Sequence, residues 1–343
     1  MGGGDGDGDG GSGGALGALP LPVAAAISNA LLFLLVGGMA GSCDAANLRA
    51  KFTTREGFRG IVAGVVCQFV LLPLAGFCAL KLFPQPPPTA IALLVVTTSP
   101  GGGFSGFWCY TVNADLALSV AMTTASTLVS VVALPLNLLL YITTLYGRTV
   151  AVDMPGLMIA CAVVVAAVVC GYRLSDARPA WRQRVAVVGQ TAGVCLMAFG
   201  ALANGSSHDP VWGNPPRWFL AVCLPVFAGL AGALLAARAI DLPHPQAVAV
   251  AIECCYQNTG LALTIALSAM SPADVGEASG VPLVYGLFEM IAIPVFALTA
   301  WRLGWTYAPR DENVCKVIVG NYQPGSGGAQ GQGLPQQQGA PMM

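Results

Sequence analysis

Nine long apolar runs, joined by short polar connections, constrain this chain more than any other feature. They cover roughly Leu21–Ala40, Ile61–Leu82, Ala90–Val112, Leu116–Tyr141, Pro155–Cys170, Val185–Ala203, Trp218–Ala237, Ala247–Ala269 and Val281–Trp301. About twenty apolar residues, at 1.5 Å per helical residue, span the ~30 Å hydrocarbon core of a bilayer. No water reaches that layer, so each segment has to bond its own backbone, and the helix does so. The sequence therefore predicts an all-α polytopic membrane protein with nine transmembrane helices and the lipid bilayer as its surroundings. With 9% charged residues the chain is far more apolar than a soluble domain, and its net charge of −1 excludes a nucleic-acid partner.

Two of the runs are interrupted by residues that an apolar span has no reason to carry. Ser99-Pro100-Gly101-Gly102-Gly103 cannot continue a regular helix, and the helix restarting near Phe104 offers its N-terminal amides to an anion. In the eighth run, Glu253-Cys254-Cys255-Tyr256-Gln257-Asn258-Thr259-Gly260 sets a carboxylate and two carboxamides between apolar flanks. An unpaired charge there costs at least roughly 2.5 to 3.5 kcal/mol, so Glu253 needs a cation, a proton or a water-filled cavity beside it. Each broken run is followed by a run bearing proline, Pro135 in the first case and Pro294 in the second. The two copies face opposite ways, the inverted-repeat pattern of a secondary transporter whose sites lie at the midplane.

Basic residues orient the chain. Twelve of the fifteen Lys and Arg fall in odd-numbered connections or the C-terminal tail, which predicts an outside N-terminus and a cytoplasmic C-terminus in a plasma membrane. The glycosylation sequon Asn204-Gly205-Ser206 then lies outside. Residues 1–20 read as a flexible extracellular tail without the basic region of a signal peptide, and the Gly- and Gln-rich stretch from about 324 reads as disordered.

Enzymatic chemistry has no foothold. His208 and His244 fall in loops, no HExxH pattern occurs, and no nucleophile has a histidine base. The eleven cysteines sit mostly inside apolar runs and predict no disulfide framework; Cys254 and Cys255 read as small apolar packing. Ser119, Thr123 and Ser126 share a helix face, an arrangement that also serves packing between helices. Asp115 reads as a helix N-cap. Glu289, inside the ninth run, is a second proton or cation group, or a carboxylate facing water.

Four pieces resemble, in order and spacing, the bile acid:sodium symporter family over most of residues 25 to 305. They are Gln68-Phe69 with Leu72-Pro73-Leu74; Ser99-Pro100-Gly101-Gly102 with Ser105; the run from Asp115 to Thr127; and Glu253 with Gln257-Asn258. The resemblance implies a transporter domain over 21–305 followed by a cytoplasmic tail over 306–343. A core (about 58–141 and 216–303) would hold two crossing broken helices, and a panel (about 21–42 and 154–204) would move against it. It further implies sodium-coupled carriage of an organic anion with one or two Na+. A first site would use Ser105, Ser119, Thr123 and Glu253. A second would use Gln68, Glu253 and Gln257 with the carbonyls of Cys254 and Tyr256. The anion would rest by Gly101, Gly102, Gly103 and Asn258.

These are oxygen donors suited to a hard cation. Two positions depart from the family pattern: Gly106 stands where it has Asn, and Gly103 where it has Thr. The first site loses a carboxamide oxygen, which opens coupling to one sodium or to protons, and a non-transporting receptor of the same fold is the other reading.

Overall fold

Pro100 and its three following glycines stop one helix, and the amide-rich stretch after Cys255 stops another; the rest of the chain is arranged around these two stops. A computed structural model describes residues 20–42, 49, 51–147, 154–205, 211–271, 274–320 and 322. The N-terminal tail through residue 19, the stretch from 324 onward, Arg148, Ser206 and His208 lie outside the described residues, as does the Asn204 side chain.

Among the described residues the regular structure is helical: α1 (Leu21–Ser42), α2 (Arg55–Leu82), α3 (Pro87–Thr98), α4 (Ser105–Thr111), α5 (Leu116–Tyr146), α6 (Met154–Ala177), α7 (Arg182–Gly205), α8 (Pro216–Ala239), α9 (His244–Cys255), α10 (Thr259–Ala269), α11 (Val275–Arg302) and α12 (Val314–Val319). Seven of them are long and apolar enough to cross a membrane. The third and eighth apolar runs each appear as two short helices, α3 with α4 and α9 with α10, because the sequence breaks both in the middle.

Local chemistry explains several of these shapes. The Asp115 carboxylate caps α5 by accepting the Leu118 N–H at 3.0 Å, as its position predicts, and it also takes the Lys51 ammonium at 2.5 Å. In α2, Cys67–Leu71 forms a π turn just before Pro73. A proline inside a helix leaves the carbonyl four residues earlier without its N–H. That carbonyl belongs to Phe69, and Asn137 of α5 donates to it at 3.1 Å. The π turn thus carries its neighbour Gln68 into the interior on a backbone held from a second helix.

α1 lies chiefly against α6 and α7, while α2, α3, α5, α8, α9 and α11 pack on one another; the two sets also meet, α1 on α10, α6 on α5 and α7 on α11. The α1–α7 approach is so close that a Cβ on Gly38 would stand 2.4 Å from the Gly189 Cα, so small residues bring these backbones together. Gly171 of α6 likewise approaches the Gly37 carbonyl of α1, so spans five and six both present small residues to α1. At the end of α11 the chain turns back: the Trp301 indole donates to the Pro309 carbonyl at 2.8 Å, and Trp301, Ala308 and Val317 form a small buried cluster. Asn113, in a left-handed conformation at φ 57°, grips this segment. Its side chain donates to the Val317 carbonyl at 2.8 Å and accepts the Tyr322 N–H at 2.9 Å, while its own carbonyl accepts the Tyr307 N–H at 2.9 Å.

Candidate functional site

The two breaks meet. Gly101 and Gln257 form an isolated antiparallel bridge, with the Gly102 N–H donating to the Tyr256 carbonyl at 2.7 Å and the Asn258 N–H to the Pro100 carbonyl at 3.0 Å. Backbone groups freed by breaking two helices inside an apolar layer would each be costly, and here each break satisfies the other. Glycine is required for this approach. A Cβ on Gly101 would lie 2.1 Å from Glu253 Oε1, and one on Gly102 would lie 2.4 Å from the Gln257 carbonyl oxygen.

Glu253, at the end of α9, is 1% exposed and is held by hydroxyls from α5. Ser119 donates to its Oε2 at 2.8 Å and Thr123 to its Oε1 at 2.5 Å. The four-residue spacing of Ser119 and Thr123 puts both on one helix face, which is why one carboxylate receives both. Ser105, the first residue of α4, lies 3.4 Å from the Thr123 hydroxyl and donates to the Gly102 carbonyl at 2.9 Å. Ser126, one turn further along α5, accepts the Gly101 N–H at 3.3 Å. The cluster gathers four oxygen-bearing side chains around the carboxylate and backbone of the crossing.

Beside it, the Gln68 amide donates to the Ser99 carbonyl and to Gln257 Oε1, both at 2.6 Å, while Gln257 Nε2 donates to the Cys254 carbonyl at 2.6 Å. Gln68 Oε1 is buried and has no hydrogen-bond partner among the described residues. The carbonyls of Cys254 and Tyr256 each accept one protein hydrogen bond, and a carbonyl retains a second lone pair. Cys254 and Cys255 are fully buried, in keeping with their reading as packing residues.

A cavity of about 60 Å³ opens next to the crossing, walled by residues that include Gly101, Gly103, Gly106, Thr123, Asn258, Met39 of α1 and Tyr172 of α6. Gly102 is not among its walls. The amides of Gly101 and Gly102, beside which the anion is expected to rest, are taken by Ser126 and Tyr256. Asn258 Oδ1 caps α10 by accepting the Leu261 N–H at 2.9 Å. Gly106 has room for a side chain: a Cβ there would meet nothing closer than Leu116 Cδ1 at 3.5 Å.

Sequence reasoning did not find the bond from the Gln257 N–H to Glu289 Oε1, 2.6 Å, or the hydrogen bond between the hydroxyls of Thr124 and Tyr172. For Glu289 the signal existed, a carboxylate inside an apolar run; its partner is a backbone amide and so has no side-chain signature. At 1% exposure Glu289 does not face water.

Comparison with known proteins identifies the family. The sodium bile acid symporter family matches residues 30–207, which include the first break, Ser119 and Thr123. The chain is 32% identical over 240 residues to the human ileal sodium/bile acid cotransporter, covering 69% of this chain and 68% of that protein. It is 26% identical to the bovine sodium-dependent organic anion transporter (68% of this chain, 62% of that protein) and 26% identical to the rat hepatic sodium/bile acid cotransporter (68% and 65%). Half the chain matched by the family profile, a relative above 30% identity and seven membrane-length helices lead to one conclusion: this is an integral membrane protein that belongs to the sodium bile acid symporter family.

Proposed function

We propose that the protein is a sodium-coupled symporter that carries an organic anion, a bile acid, steroid conjugate or similar carboxylate, by alternating access. The observation that carries the reading is Glu253: a buried carboxylate at the meeting of two helix breaks, bonded only by hydroxyl groups, with no Lys or Arg paired to it among the described residues. Such a group is poised for a cation. Sodium suits the donors, since it takes carboxylate, hydroxyl and carbonyl oxygens and makes little use of thiols or imidazoles.

In this reading each pair α3–α4 and α9–α10 counts as one broken span, which makes nine spans with an outside N-terminus and a cytoplasmic C-terminus. The core is 58–141 with 216–303, and the panel is 21–42 with 154–204; the extensive packing of α1 on α6 and α7 supports that division. A first sodium takes Ser105, Ser119, Thr123 and Glu253, the hydroxyls turning their hydrogens away from the carboxylate and their lone pairs toward the ion. A second takes Gln68, through its unpartnered Oε1, with Glu253, Gln257 and the carbonyls of Cys254 and Tyr256.

Glu253 is common to both ions, and its Oε1 lies against the Gly101 backbone. Occupancy therefore fixes the two breaks relative to each other, which is linkage between ion binding and the anion cavity. The anion rests against Gly103, Gly101 and Asn258. The glycines supply close approach there, because the amides of Gly101 and Gly102 are already engaged. An inward-directed potential adds roughly 2.3 kcal/mol per charge per 100 mV.

The test is uptake of a panel of labelled bile acids, steroid sulfates and small carboxylates into proteoliposomes with a sodium or a choline gradient. Sodium-dependent accumulation of at least one is expected. No uptake together with no sodium-dependent binding would leave the receptor reading. Gly106 supplies no carboxamide to the first ion, which makes one-sodium coupling the second reading, and the sodium-to-anion ratio decides between them.

A further inference from the structure

Behind the crossing lies a second buried carboxylate that the mechanism above does not use. Glu289 sits in the middle of α11 and is 1% exposed. Its Oε1 accepts the Gln257 N–H at 2.6 Å, whereas its Oε2 is buried and has no hydrogen-bond partner among the described residues. Tyr285, one helical turn earlier, is fully buried, and its hydroxyl also has no hydrogen-bond partner. Residues four apart on a helix share a face. Two unpartnered oxygens, one from a carboxylate, therefore stand on neighbouring turns inside the protein and are not bonded to each other.

A buried group of this kind needs a compensating partner. A basic side chain does not provide it: the ion pairs seen among the described residues join Lys51 to Asp115 and Lys316 to Glu312. A cation supplies the missing positive charge and takes lone pairs from the carboxylate and the phenol together.

We propose that Glu289 Oε2 and the Tyr285 hydroxyl are ligands of a further sodium site, distinct from the Glu253 cluster and joined to it through Gln257. The inference rests on the sodium-coupled reading of the crossing. Gln257 connects the two places: its N–H is held by Glu289, and its side-chain oxygen accepts from Gln68. An ion at Glu289 pulls charge from the carboxylate that fixes the Gln257 backbone, so filling this site alters the geometry offered to sodium at Gln68 and Glu253, and the reverse follows by linkage.

The experiment counts sodium ions bound per full-length protein in detergent, by equilibrium binding of radioactive sodium against choline chloride without any anion, in wild type, Glu289→Gln, Tyr285→Phe and Glu253→Gln. The site predicts that Glu289→Gln binds one ion fewer than wild type. It also predicts that Tyr285→Phe raises the sodium concentration for half-saturation of one ion by threefold or more. Glu289→Gln binding the full wild-type number overturns the proposal. If Glu289→Gln does not fold, an unchanged binding curve in Tyr285→Phe overturns it. Glu253→Gln separates the two readings: loss of ions in Glu253→Gln but not in Glu289→Gln keeps the crossing and removes this site, and the converse keeps this site and removes the crossing.

Discussion

Replacing Gly101 by alanine tests the crossing most directly. The added Cβ would fall 2.1 Å from Glu253 Oε1, whereas a carbon and an oxygen ordinarily approach to about 3.3 Å, so one of them has to move by about 1 Å. The Gly101 backbone is pinned on both sides by the Gly102–Tyr256 and Asn258–Pro100 hydrogen bonds and at its own N–H by Ser126. The carboxylate therefore yields, and it leaves the 2.5 Å bond that the same oxygen makes with Thr123. A hydrogen bond to a charged group contributes about 1.5 to 3 kcal/mol, which corresponds to roughly 10- to 100-fold in an equilibrium constant. The sodium concentration for half-maximal uptake should rise by about that factor, and sodium-induced thermal stabilisation in detergent should weaken in parallel. Gly213→Ala, where a Cβ meets nothing within 4 Å, is the control. A sodium dependence in Gly101→Ala within about twofold of the control would refute the argument that Glu253 is positioned by contact with the opposite break.

Glu253→Ala and Gln257→Ala should abolish sodium-driven uptake, and Ser119→Ala, which removes one of two hydroxyls from the carboxylate, should only raise the sodium requirement; wild-type uptake in Glu253→Ala contradicts a shared carboxylate. Gly106→Asn has space for its side chain and restores an oxygen donor at the start of α4, so half-maximal sodium should fall by roughly two- to tenfold, the equivalent of one added net hydrogen bond; no change places that side chain outside the ion's reach. Asn137→Ala leaves the Phe69 carbonyl without its donor and should cost about 1 to 3 kcal/mol, read as a lowered unfolding midpoint with a weaker sodium response, because Gln68 is the next residue along the π turn; an unchanged sodium response separates that turn from the ion site.

What the sequence makes legible, it does through covalent chemistry that permits few outcomes. Pro100 with three glycines, and a carboxylate beside two carboxamides, interrupt apolar helices wherever they occur, so both breaks and the residues lining them could be placed before any coordinates. The face shared by Ser119, Thr123 and Ser126 follows from helical periodicity alone. The elements that were not legible depend on which backbone groups meet. Leu72-Pro73 shows that a carbonyl is freed, but not that Asn137, far along the chain, recovers it, nor that the strain is taken up as a π turn at Gln68. Likewise the glycines of the first break read as neighbours of the anion. Only the pairing of the two breaks reveals that the amides of Gly101 and Gly102 are spent inside the protein.

Asn113 holds Tyr307, Val317 and Tyr322 by three hydrogen bonds, so the chain's final described residue is fastened to the corner joining α4 and α5. A reporter protein or fluorophore fused behind Tyr322 rides with that corner and with the first break, while one placed ahead of Leu21 rides with α1. The distance between two such labels reports relative displacement of the groups they ride on, and it stays constant through any cycle in which the molecule moves as a single body.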